Sequence, residues 1–115
     1  MAPELILDTL TDRFEDTEDI QYDATYTEDS NMFTIYIYMK KAVAIVALAV
    51  EGDEYGIEAW GEMTASLTEF NTSTTNLVRA LGSDALVSIS LQSGVDAVVP
   101  MIYMTDSVVV FDMTK

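Results

Sequence analysis

MFTIYIYMKKAVAIVALAV, residues 32–50, decides the fold, because this long run carries only two charges, side by side at Lys40 and Lys41. An apolar run of this kind reads as a membrane span, a buried helix or two strands. Phe33, Ile35, Ile37 and Met39 fall on one side of an extended chain, and Met32, Thr34, Tyr36 and Tyr38 on the other. Branched and aromatic residues at this density favour a strand. After the lysines, Val46, Leu48 and Val50 alternate in the same way, with Val43 and Ile45 before them. Each apolar piece is about half the ~20 residues that a membrane helix needs, and two lysines at its centre would cost several kcal/mol. The stretch is therefore expected to be two strands bent about Lys40-Lys41, with no membrane association.

Working outward, residues 20–28 (IQYDATYTE) alternate, with Ile20, Tyr22, Ala24 and Tyr26 on one side, and Asp29-Ser30-Asn31 makes a turn before residue 32. Upstream, Pro3 suits a first helical turn, and Ile6, Leu10 and Phe14 recur every four residues with Leu7 beside them. That pattern predicts an amphipathic helix over residues 3–15, stopped by the acids at 15, 16, 18 and 19. Downstream, Glu51-Gly52-Asp53-Glu54 is a turn, and Tyr55, Ile57 and Ala59 alternate as a strand to about residue 62. Ser66 and Glu69 have capping-box spacing, Phe70, Thr74, Leu77 and Leu81 form a helical stripe, and Gly82 is the expected C-cap. Residues 71–76, NTSTTN, are poor helix formers that packing must hold. Three strands follow, over 86–91, 95–102 and 107–113, with Pro100 pointing to an edge or bulge. The expectation is a single α+β domain over residues 1–115. Two helices pack on one face of an antiparallel sheet of about seven strands, and the other face is partly wet.

Twenty acidic residues against five basic ones give a net charge of −15, and there is no cysteine or histidine. Such a surface repels phosphate backbones and anionic lipid. It suits a high-salt cell, a basic protein partner or an imitation of DNA. Absence of cysteine fits a reducing, cytoplasmic setting. The start, MAPELILDTLTDRF, lacks the basic region of a secretory or mitochondrial leader. Without a leader, the sequon Asn71-Thr72-Ser73 reads as chance.

Histidine- or cysteine-based catalysis and zinc sites lack their residues. Carboxylates remain: Asp8 and Asp12 lie four apart, Asp12, Glu15 and Asp16 cluster, and Glu51, Asp53 and Glu54 share a turn. None has calcium-loop spacing, and solvated acids account for them. The five glycines are scattered, with no phosphate loop. The reading is a non-catalytic protein with no cofactor and no metal. Tyr36, Tyr38, Trp60, Met101 and Tyr103 are the candidate protein-interface residues, since aromatics and methionine are enriched in interfaces.

Residues 70–104, FNTSTTNLVRALGSDALVSISLQSGVDAVVPMIYM, resemble the closing segment of DNA sliding-clamp domains. Leu77, Val78, Ala80 and Leu81 correspond to the helix, Gly82-Ser83-Asp84 to the turn, and Val87, Ile89 and Leu91 to the following strand. The resemblance implies an oligomeric ring that holds a nucleic-acid enzyme on DNA, with ring closure through edge strands. Arg13 and Arg79 would then be the DNA-facing residues, in place of the usual basic helix lining, so that any DNA contact is indirect. Three roles stay open on the residues: a clamp-like oligomeric scaffold or processivity protein, an acidic inhibitor or adaptor (viral among the options) on a basic protein surface, and a viral structural subunit.

Overall fold

The computed structural model describes residues 2–94 and 99–115. It is an α+β fold with three helices and one open five-stranded sheet. Helix α1 spans Pro3–Asp12, and strands β1 and β2 span Ile20–Thr27 and Met32–Met39. Helices α2 (Lys40–Val50) and α3 (Glu54–Ala80) follow, and then β3 (Leu86–Gln92), β4 (Pro100–Thr105) and β5 (Val108–Asp112). The strands lie in the sheet in chain order. β2 and β3 run parallel, and every other neighbouring pair is antiparallel. The sheet is mixed because α2 and α3 together carry the chain back between β2 and β3, as a parallel pair requires.

The expected strand over residues 42–50 is a helix instead. Ala42, Ile45, Val46 and Ala49 are its buried residues, a spacing of three, one and three that belongs to a helix face. Four alanines, the strongest helix formers, supply the propensity. Residues 55–62 are likewise helix, the opening of α3, where Gly56 and Trp60 are buried four apart. These two corrections turn two helices and about seven antiparallel strands into three helices and five strands. The helix expected at residue 66 thus begins at Glu54, and the first helix stops at Asp12 rather than 15. β4 begins at Pro100, and residues 95–98 of the strand expected there lie outside the described residues.

The helix connections follow from their residues. Gly52, at φ 86°, sends its N–H to Ala49 O, and Asp53 N–H reaches Leu48 O. This is a Schellman close to α2. Asp53 then caps α3 by accepting Gly56 N–H on its carboxylate at 3.0 Å. Gly56 is needed for the crossing: a Cβ there would stand 2.5 Å from Leu48 Cβ and 2.6 Å from Ala49 N. Gly82, at φ 87°, ends α3 as expected, with Gly82 N–H on Arg79 O and Ser83 N–H on Val78 O.

Strand alternation divides the sheet into two faces. One is the core: Phe33, Ile35, Ile37, Val87, Ile89, Leu91, Ile102 and Met104 are buried on it. α1 adds Ile6 and Leu10. Phe14 stacks on Tyr22 at 5.0 Å, and Tyr22 lies 6.4 Å from Phe70 of α3, so both helices cover this face. Asn71, completely buried within NTSTTN, donates to Val87 O at 2.9 Å and accepts Ser107 N–H at 2.8 Å. Poor helix formers are tolerated there because tertiary bonds hold them.

Candidate functional site

The second face of the sheet carries Met32, Thr34, Tyr36 and Tyr38 from β2, and Leu86, Ser88, Ser90 and Gln92 from β3. Met101, Tyr103 and Thr105 from β4 and Val108 and Phe111 from β5 continue it. None of these side chains is charged, in a chain where 22% of residues are; β1 completes the face with Gln21, Asp23, Thr25 and Thr27, so its charge, Asp23 opposite Tyr36, stands at the far edge from β5. Ser90 sits opposite Tyr36 on one side and Tyr103 on the other. Larger neighbours bury the small polar groups: Ser88 and Ser90 are inaccessible while Tyr36, Tyr38 and Tyr103 remain half-buried. Ser88 shares a hydrogen bond with Thr105 at 2.9 Å and reaches Met32 Sδ.

Met101 is 2% exposed and buried with the core; of the five expected interface residues, Tyr36, Tyr38 and Tyr103 are therefore the ones that open on this face. Trp60 does not. It is 3% exposed on the core side, and its indole N–H donates to the Asp112 carboxylate at 3.0 Å. Arg79 is also occupied, donating to Ser83 O and, at 2.6 Å, to Ala85 O, where it closes the end of α3. Arg13 is exposed after α1 and borders a groove with Phe14, Phe70 and Leu77. The two arginines thus serve different places. Among the described residues no three carboxylates gather as a metal-binding group, and no helix is long and apolar enough to cross a membrane.

The strand expected over 107–113 is present as β5, but its exposure was not expected: it is the most exposed apolar strand among the described residues. On β5, Val108 is 63%, Val110 65% and Phe111 45% exposed, with Val109 and, just past the strand, Met113 also open. Among the described residues β5 is an edge strand, with no strand beside one row of its backbone groups. α3 holds it at both ends. At its start, Asp106 and Ser107 take φ values of 52° and 64°, the two-residue turn of a tight hairpin. Asn71 accepts Ser107 N–H there, and Thr72 Oγ1 lies 2.6 Å from Ser107 Oγ. At its end, Asp112 Oδ1 accepts from Trp60 and from the amide and hydroxyl of Thr114. Burial pushes the Asp112 carboxyl up. The Thr114 and Trp60 hydrogen bonds and nearby Lys115 outweigh it and hold the group below its ordinary value.

Behind β5 runs an apolar groove of about 490 Å³ lined by Ala49, Ile57, Trp60, Gly61 and Val109, with Asp112 and Lys115 at its rim. Gly61 faces open space: a Cβ there would meet nothing within 4 Å. The pairing shifts between Tyr103 and Met104, which puts one extra residue in β5. Such a bulge shortens the regular ladder an incoming strand can extend. The acids lie elsewhere. Asp12, Glu15, Asp16, Glu18, Asp19 and Asp23 are exposed on and before β1, at the opposite edge of the sheet. Four strand spacings of ~4.8 Å separate the two edges by about 19 Å. One edge is acidic and the other apolar.

No family model, curated protein or solved structure matches this chain. The sliding-clamp resemblance gains no support from that quarter.

Proposed function

We propose that the chain is a non-catalytic assembly module that binds protein through the β5 edge and the uncharged β3–β5 part of the sheet face beside it. One observation carries this reading: a fixed edge strand leaves four successive apolar side chains, Val108 to Phe111, in solvent. Exposed apolar surface of that kind marks interaction sites in folded proteins. Partner side chains have two places to go, the groove behind β5 and the Tyr103–Phe111 face before it. The bulge and the five-residue length leave side-chain burial, rather than a long ladder, as the main source of affinity. As a scaffold of this type the module fits the oligomeric role that the clamp resemblance implies, with any nucleic acid contacted through other proteins.

Phe111→Lys tests the reading. The side chain is exposed, so folding should change by less than about 0.5 kcal/mol. Immobilised wild-type and variant chains are compared for proteins retained from an extract at moderate and high salt. The reading requires retention that the lysine removes; equal retention by both would refute it.

A second reading, an acidic adaptor for a basic protein surface, is favoured by the exposed carboxylates gathered at the β1 edge. Their attraction to a partner would fall steeply with salt. Loss of retention at moderate salt, unaffected by Phe111→Lys, would select it.

A further inference from the structure

We infer that the occupant of the β5 edge is a second copy of this chain, paired antiparallel about a two-fold axis near Val110; this rests on the reading above. Three observations select a copy and this orientation. First, the strand is apolar through its centre; its last residue, Asp112, is turned to Trp60 and Thr114, which leaves Asp106 before the strand and Lys115 after it as the outward charges of opposite sign. Antiparallel pairing brings Lys115 of each copy towards Asp106 of the other, whereas parallel pairing sets like against like. Second, the acidic β1 edge lies on the far side of the sheet. Edge-to-edge pairing at β5 therefore sends both acidic edges outward, which a chain of charge −15 needs if it is to meet itself. A head-to-tail arrangement, β5 on β1, would instead enclose Asp19 and Asp23 and would leave a free edge for continued growth. Third, a two-fold contact places each copy's Val109–Phe111 segment against the other's, apolar on apolar, with the groove beside Gly61 open to receive it. The joined sheets close the apolar edge of both copies at once.

The chain has no cysteine, so single cysteines report the geometry without background. Val109→Cys, Val110→Cys and Phe111→Cys are each oxidised mildly at high salt, with Thr25→Cys on β1 as control. A disulfide needs Cα atoms about 4.4–6.8 Å apart, which the two-fold provides only close to its axis. The inference expects covalent dimers from at least one β5 position, formed tenfold or more faster than from Thr25→Cys. It expects Phe111→Lys to raise the dimer dissociation constant about thirtyfold, which is about 2 kcal/mol. Melting curves of each variant exclude misfolding as the cause. No β5 cross-link, or species larger than dimers that Phe111→Lys abolishes, would overturn the two-fold. A wild-type monomer whose β5-dependent retention of other proteins persists would overturn self-pairing while sparing the module reading. If both association and retention ignore Phe111→Lys, both fall.

Discussion

Asn71 donates its side-chain N–H to the carbonyl of Val87 at 2.9 Å, from the middle of a helix into the central strand of the sheet. Its carbonyl oxygen accepts Ser107 N–H, so one buried amide fixes α3 to both the sheet and the β4–β5 turn. Asn71 thus fixes the start of the edge proposed as the interaction surface, as Trp60 fixes its end through Asp112.

Asn71→Ala leaves the Val87 carbonyl and the Ser107 amide without that partner in a buried place. Stability should fall by about 2–3 kcal/mol. Urea unfolding of the two proteins measures it. A change below about 0.5 kcal/mol would mean that the amide does not hold the turn.

Two glycines of the same helix should respond in opposite directions. Gly61→Ala adds a methyl in open space and gains about 1 kcal/mol of helix propensity. Gly56→Ala drives a methyl into Leu48 and Ala49 across the α2–α3 crossing. Overpacking of this kind costs about 1–3 kcal/mol and exceeds the propensity gain. Thermal melts should move up for the first and down for the second.

Asp112 gives a signed pH dependence. Its folded-state carboxyl is held below the ordinary value, so its contribution is fully present above the unfolded pKa of about 3.9 and is lost as pH falls through the folded value. Asp112→Asn should lose stability at neutral pH and show a shallower decline below about pH 4. Parallel acid limbs in the two proteins would contradict the assignment.

The strands were legible where alternation was unambiguous. β1, β2 and β3 stand within a residue of where Ile20–Thr27, Met32–Met39 and Leu86–Leu91 alternate. Gly82 closed α3 as its position suggested. Residues 42–50 were not legible, because Val46, Leu48 and Val50 satisfy a two-residue period while Ala42, Ile45, Val46 and Ala49 satisfy a helical one. The alanines decide between them, and small side chains contribute little to an apolar pattern. Residues 55–62 misled in the same way: Tyr55 and Ile57 alternate, yet both are exposed, and Gly56 and Trp60 are the buried pair. The candidate site was only partly legible. Tyr36, Tyr38 and Tyr103, picked out as aromatics, open on one sheet face, whereas Met101 and Trp60 are buried. Val108–Phe111 reads as core by composition, and only its place at the edge of the sheet exposes it.

Self-association should strengthen with salt. Two copies at −15 repel, and the screening length shrinks from about 10 Å at 0.1 M to about 3 Å at 1 M. Apolar contact between β5 edges survives that change while the repulsion does not. Static light scattering across a salt series at fixed concentration follows it; a dimer that dissociates as salt rises would point to ion pairing instead.

Sedimentation equilibrium over a wide concentration range at about 1 M salt tests the central claim most directly. The account predicts a monomer–dimer equilibrium for the wild-type chain, shifted to monomer by Phe111→Lys. A wild-type mass that stays at 12.7 kDa throughout would contradict it.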